Sequence, residues 1–279
     1  MRIDSHQHFW RYNAGEYGWI SEEMGALRRD FLPVHLKPLL ETAGLEGSVA
    51  VQARQSLEET AWLLELADQH PWIQGVVGWV DLRSPEVEAQ LERFAAHPKM
   101  RGVRHVVQDE PDDRFLLRDD FRRGLRLLSR YGLTYDILIF PRHLTAAIEL
   151  VQQFPDQPFV LDHIAKPFIK AKVMEPWASQ IRHLARYPNV YCKVSGMVTE
   201  ADWAYWEIDD FRPYLDVVFE AFGAQRIMFG SDWPVCTVAA SYCQVADIVH
   251  DYTRSLSPDE REAVWGGTAE RFYGLGGVD

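Results

Sequence analysis

The sequence predicts a single (β/α)8 barrel. Three observations carry that prediction: eight short apolar runs, amphipathic stretches between them, and chemistry-bearing residues at the ends of several runs rather than on one loop. The runs are residues 2–9, 47–53, 73–81, 101–107, 133–140, 159–163, 190–195 and 227–231. Most are rich in Val, Ile, Leu and aromatics and too short for helices, the pattern of strands buried on both faces.

The intervening stretches carry the helical period. Residues 57–70 put Leu63, Leu64 and Leu66 with Ala61 and Ala67 on one stripe, and Ser56 can cap the start. Residues 84–97 open Ser-Pro-Glu, with Pro85 suited to a first helical turn. Residues 121–131, 144–154, 177–187 and 211–222 repeat the pattern. Strands alternating with helices at spacings of roughly 25–35 residues suggest a closed parallel barrel. An open doubly wound sheet is the alternative, but no glycine-rich phosphate loop follows the first strand. Two stretches, 10–33 and 197–212, break the rhythm after the first and seventh strands. In a barrel both hang over the carboxyl-end face, where active sites lie. No internal repeat or linker divides the chain, so residues 1–279 read as one domain.

Composition narrows the function. Hydrophobic residues at 47% and charged residues at 25% are an ordinary globular mixture. A net charge of −12 repels phosphate backbones and argues against nucleic acid, while leaving an anionic small substrate open. The 3 cysteines are odd in number and lack zinc-knuckle spacing, which fits a reducing compartment. The first ten residues have no apolar signal region, and no run of about 18 apolar residues exists. A cytoplasmic protein without a membrane span is expected, and the sequence does not fix its oligomeric state.

His6 and His8 lie two apart on the first strand, so both point to one face, which Asp4 should share. Two imidazoles at a strand end can hold a metal or clamp an oxyanion. Asp232 follows the last strand between Gly230 and Pro234, and His163 ends the sixth. Taken alone, each of these reads as a turn residue or a satisfied buried histidine. Together, first, sixth and last strands bring metal- or proton-competent groups to the same barrel end. Arg54, Arg104, His105, Lys166 and Trp233 at strand ends, and Trp10, are candidates for substrate binding.

Asp4-Ser5-His6-Gln7-His8 and Gly230-Ser231-Asp232-Trp233-Pro234 resemble the amidohydrolase superfamily. With Gly102-Val103-Arg104-His105, Asp162-His163-Ile164-Ala165-Lys166-Pro167 and the stretches 188–196 and 228–236, the chain is similar to the sugar-lactonase branch, the L-fuconolactonase and L-rhamnonolactonase relatives. The resemblance spans nearly the whole chain. It implies a distorted barrel with the site on His6, His8, His163 and Asp232. It also implies one divalent ion, zinc or manganese, on His6, His8 and Asp232, with metal-independent catalysis left open. Many superfamily members carry a strand-five histidine; residues 133–140 offer none, which argues against a two-metal centre.

The implied reaction is hydrolysis of a sugar-derived lactone such as an L-fucono- or L-rhamnonolactone. Asp232 activates water and can return the proton to the leaving oxygen; His163, with the other histidines, stabilises the oxyanion. A metal-dependent decarboxylase or hydratase on the same scaffold, and a non-catalytic sugar-acid binding protein, are the alternatives.

Overall fold

The computed structural model describes residues 1–276; residues 277–279 of the expected domain lie outside that span. Eight parallel strands form one sheet in sequence order: β1 (Ile3–Gln7), β2 (Gly47–Val51), β3 (Ile73–Gly78), β4 (Met100–Val106), β5 (Thr134–Leu138), β6 (Phe159–Leu161), β7 (Val190–Val194) and β8 (Ile227–Phe229). Each falls within or beside its predicted run. The sheet closes just beyond β8, where Asp232 N donates to His6 O at 2.8 Å and His8 N to Trp233 O at 2.7 Å. The segment that shuts the barrel is thus the one that carries Asp232.

Helices α1 (Pro33–Thr42), α2 (Leu57–Gln69), α3 (Val87–Ala95), α4 (Asp119–Leu128), α5 (Leu144–Gln153), α6 (Trp177–Leu184), α7 (Ile208–Phe222) and α8 (Tyr242–Thr253) alternate with the strands. Two short ones, α9 (Pro258–Glu262) and α10 (Thr268–Tyr273), follow. Ser56 caps α2 as its sequence implies, accepting from Glu59 N at 3.2 Å. Pro85 does not open α3: that helix starts at Val87, and Pro85 sits in the turn before it.

Inward-facing Ile3, Val49, Val51, Val77, Val160 and Met228 pack against Phe272 and Tyr273 of α10. This helix packs across that layer of the barrel interior, and the cavity lies at the carboxyl-end face. The larger core lies between the sheet and the outer helices. Among the described residues no helix is long and apolar enough to cross a membrane.

The expected shared face of Asp4, His6 and His8 is corrected by β1. Its register against β2 shifts between Asp4 and Gln7. That irregularity re-aims the strand. Asp4 accepts from Ser231 Oγ at 2.6 Å and from Tyr242 OH of α8 at 2.9 Å, away from the two histidines' rings.

Candidate active site

His8, His163 and Asp232 line the floor of a cavity of about 630 Å³ at the open end, with His6 fully buried against them. His8 Nε2 lies 3.3 Å from Asp232 Oδ1, and His6 Nε2 and His163 Nε2 each lie 3.8 Å from the same oxygen. Two glycines make room. A Cβ on Gly230 would fall 2.6 Å from His6 Cβ, and one on Gly196 (φ +58) would fall 2.5 Å from His163 Nδ1. Asp232 itself has φ 56, a left-handed conformation that Asp tolerates better than most residues.

His163 begins a rarer feature. His163, Ile164, Ala165 and Lys166 all have positive φ, between 49 and 61, a left-handed turn of four consecutive non-glycine residues. Each such residue is disfavoured by about 1–2 kcal/mol. The turn is held by burial of Ile164 and by Trp177 Nε1, which donates to Ile164 O at 2.7 Å. It delivers both His163 and Lys166 to the cavity from one strand end.

The hydrogen bonds fix ring orientation. His8 Nδ1 is 2.8 Å from Val51 O; a carbonyl only accepts, so in the neutral ring the Nε2 lone pair faces Asp232. His163 Nδ1 meets Ser195 Oγ at 2.8 Å. His6 Nδ1 lies 3.1 Å from Lys193 Nζ and 3.4 Å from Asp162 Oδ1. Burial, reinforced by Lys193, His8 and Arg104, pushes the His6 pKa well below 6.5 and keeps the ring neutral. Burial likewise depresses His163. Burial pushes the Asp232 carboxyl up, but the opposing pull of His163, His8 and Lys166 wins and leaves it below its ordinary value, ionised at neutral pH.

Those donors fit a divalent ion. Zinc–nitrogen bonds of about 2.0–2.1 Å in a tetrahedron place ligand atoms about 3.3 Å apart. His6 Nε2 and His8 Nε2 are 3.2 Å apart, and His8 Nε2 and Asp232 Oδ1 3.3 Å. A lone pair and a carboxylate oxygen facing each other at that distance call for a proton or a cation between them.

Below this group lies a charge cluster that the sequence did not reveal. Lys193 of β7 pairs with Asp136 of β5 at 2.5 Å and with Asp162 at 3.1 Å, all with no exposure. Arg104 of β4 pairs with Asp162 at 3.1 Å, donates to Gln52, and places Nη1 3.3 Å from His6 Nε2. Two acids and two bases balance in the buried interior, as burial of charge requires. A lone Lys or Asp in an apolar strand signals nothing by itself. Only the barrel register, which sets Arg104 beside Asp136, exposes the cluster.

The remaining candidates divide. Arg54 and Lys166 line the cavity, Arg54 paired with Glu16 at 2.9 Å and Lys166 with its ammonium 5.5 Å from the Phe140 ring centroid. The structure places His105, Trp10 and Trp233 elsewhere. His105 alternates with Arg104 on β4 and therefore faces the helices, stacked on Phe115 at 4.7 Å and bonded to Glu110 at 2.7 Å. Trp10 is fully buried against Phe31 and Tyr17, its indole N–H donating to Arg29 O at 3.0 Å. Trp233 packs edge-on to Phe9 and Phe31. Glu200 and Trp203, unforeseen, line the cavity from the segment after β7.

Comparison with known proteins agrees with this architecture. The chain is 46% identical over 286 residues to an L-fucono-1,5-lactonase of Burkholderia multivorans, covering 99% of this chain and 96% of that protein. It is 37% identical over 277 residues to an L-fucono-1,5-lactonase of Burkholderia ambifaria, covering 98% and 95%. A crystal structure of a Burkholderia multivorans amidohydrolase with bound zinc superposes with a TM-score of 0.96 at 45% identity, covering 99% of this chain and 100% of the other. The amidohydrolase family pattern matches residues 3–275, and the chain belongs to that family.

Proposed function

We propose that this protein hydrolyses the lactone of a sugar acid, an aldonolactone such as an L-fucono- or L-rhamnonolactone. The observation that carries the reading is Asp232, an ionised carboxylate among three histidines at the floor of a cavity large enough for a monosaccharide ring. The lactonase relatives, matched over almost their full length, support it.

Lactone opening is ester hydrolysis. Asp232 accepts a proton from the water that attacks the carbonyl carbon, a role typically contributing about 10²–10⁴-fold. Charge then grows on the carbonyl oxygen, where the Arg104 guanidinium presents positive charge and His163, its Nδ1 on Ser195 Oγ, turns Nε2 to the cavity as a donor. A zinc or manganese ion held by His6, His8 and Asp232 would supply Lewis-acid polarisation of that carbonyl. Lys166 and Arg54 line the route to this floor and hold ring hydroxyls or the product carboxylate.

The test is a pH-indicator assay of purified protein against aldonolactones, with and without added zinc or manganese. Acid release that disappears in Asp232→Asn is expected. No acid release under any metal condition would overturn the reading.

A further inference from the structure

A second carboxyl group faces the same cavity, and the roles described so far leave it without a task. Glu200 lies in the segment after β7, between the left-handed turn carrying Lys166 and the β8 end carrying Asp232. That segment is braced at four points. Lys170 N donates to Glu200 O at 2.9 Å, Glu200 N to Met197 O at 3.1 Å, Thr199 Oγ1 to Gly196 O at 2.8 Å and Trp203 Nε1 to Thr199 O at 2.9 Å. The backbone is thus fixed while the carboxyl is left nearly unengaged. Among the described residues its one side-chain polar neighbour within hydrogen-bond reach is Thr199 Oγ1, at a long 3.4 Å, a hydroxyl whose proton already goes to Gly196 O. A largely buried carboxyl held rigidly at a cavity wall, with little to bond to, is a group waiting for a ligand.

We propose that Glu200 is the general acid that protonates the ring oxygen as it leaves, an inference that rests on the lactone-opening reading. The water oxygen bonds to the carbonyl carbon and its proton passes to Asp232. As the tetrahedral species collapses, the bond from carbon to ring oxygen breaks and its electron pair stays on that oxygen. Glu200 gives that oxygen its proton, forming the hydroxyl of the product. Glu200 is left ionised and Asp232 protonated. Proton exchange through solvent restores both, and the product acid ionises.

The chemistry calls for such a donor because an aliphatic alkoxide is about as basic as hydroxide and is a poor leaving group without a proton. Asp232 is committed to the histidines, its Oδ1 within 3.8 Å of three imidazole nitrogens. Two carboxyls with divergent environments are the usual mark of an acid and base pair. Burial raises the Glu200 pKa, with Lys166 and Thr199 opposing and Asp232 adding to the rise. The charged groups that share its cavity are Lys166 and Asp232 nearby and Arg54, Glu16, Arg104, Asp109 and Glu110 on the other walls.

Glu200→Gln, which keeps shape and hydrogen bonding but has no acidic proton, is compared with the wild type on two substrates. One is the best aldonolactone; the other is dihydrocoumarin, a lactone whose phenolate leaving group departs without a proton. The expected result is a kcat loss of about 10²–10⁴-fold on the aldonolactone with KM little changed. The fall of kcat/KM at high pH, where an acid would be lost, should vanish as well. On dihydrocoumarin, where the wild type turns it over, the loss should be under tenfold. Equal losses on both substrates, a change confined to KM, or an unchanged high-pH limb would overturn the assignment. Wild-type protein that opens no aldonolactone would instead overturn the underlying reaction.

Discussion

The Lys193 ammonium sits 3.1 Å from His6 Nδ1, and neither side chain is exposed. An ammonium has no lone pair to offer, so this contact favours the neutral ring and opposes imidazolium. The charge of Lys193 is balanced by Asp136 and Asp162 rather than by the histidine. With Nδ1 accepting from the ammonium the neutral ring carries its proton on Nε2, where it meets an oxyanion, whereas an ion at Nε2 requires the other tautomer, with Nδ1–H toward Asp162 Oδ1 at 3.4 Å.

Lys193→Met removes the cation from the buried cluster and leaves Asp136 facing the interior uncompensated. Breaking a buried pair from one side is destabilising by about 3–5 kcal/mol. Thermal unfolding should show a fall in Tm of roughly 10 °C. A change of less than a degree would mean that the cluster does not contribute stability in this way.

Asp232→Asn preserves size and most packing. Its Tm should stay within a few degrees of the wild type while kcat on the preferred aldonolactone drops about 10²–10⁴-fold. Steady-state kinetics beside a melting curve separates the two effects, and wild-type turnover in the variant would remove Asp232 from the role of base.

For zinc, His8→Asn deletes one of three donor atoms at ligand spacing. Calorimetric titration should show affinity reduced by more than the roughly 10–100-fold typical of an outer-sphere change. His105→Ala is the internal control: its ring faces the helix layer, so zinc affinity should move less than twofold while stability falls. Equal effects of the two substitutions would place the ion elsewhere.

Glu59 gives a pH signature outside the catalytic groups. Its carboxylate accepts from Ala53 N at 2.9 Å, Arg54 N at 3.0 Å and Tyr17 OH at 3.3 Å, tying the segment after β1 to the start of α2. Burial pushes its pKa from 4.5 up to about 7. The folded protein therefore holds this proton more tightly than the unfolded chain. The stabilisation is complete below about pH 4.5 and is lost as pH rises through about 7, some 3 kcal/mol in all. Glu59→Gln should flatten that loss, so the Tm difference between variant and wild type grows from pH 5 to pH 8. A constant difference would show that the carboxyl is ionised throughout.

The barrel and its four-residue centre were legible because both are written in local pattern. Short apolar runs mark strands, and His6, His8, His163 and Asp232 stand where strands end. The parts that stayed hidden depend on register and on distant packing. Whether Arg104 or His105 faces inward is decided by β4's alternation against its neighbours, which no local signal reports. The register shift in β1 turned Asp4 away from the face that simple alternation gave it. Trp10 and Trp233, candidates for substrate binding from the sequence, lie in the aromatic core under the mouth, where large side chains more often go. Helices α1, α8, α9 and α10 fall outside the stretches in which the helical period is plain. Glu200 was missed because an acid in a loop carries no pattern at all.

The closure of the barrel through His6 O and Trp233 O ties the cluster of His6, His8, His163 and Asp232 to the order of folding. These last stitches join residues more than two hundred positions apart, the slowest class of contact for a chain to make. A sheet can hold all seven ladders from β1 to β8 and still have no site, because only the closure of the β8 end onto β1 brings Asp232 to His6 and His8. Partly folded chains should accordingly be inert. Recovery of turnover during refolding should report the docking of the two ends of the chain, lagging behind the signals of helix formation.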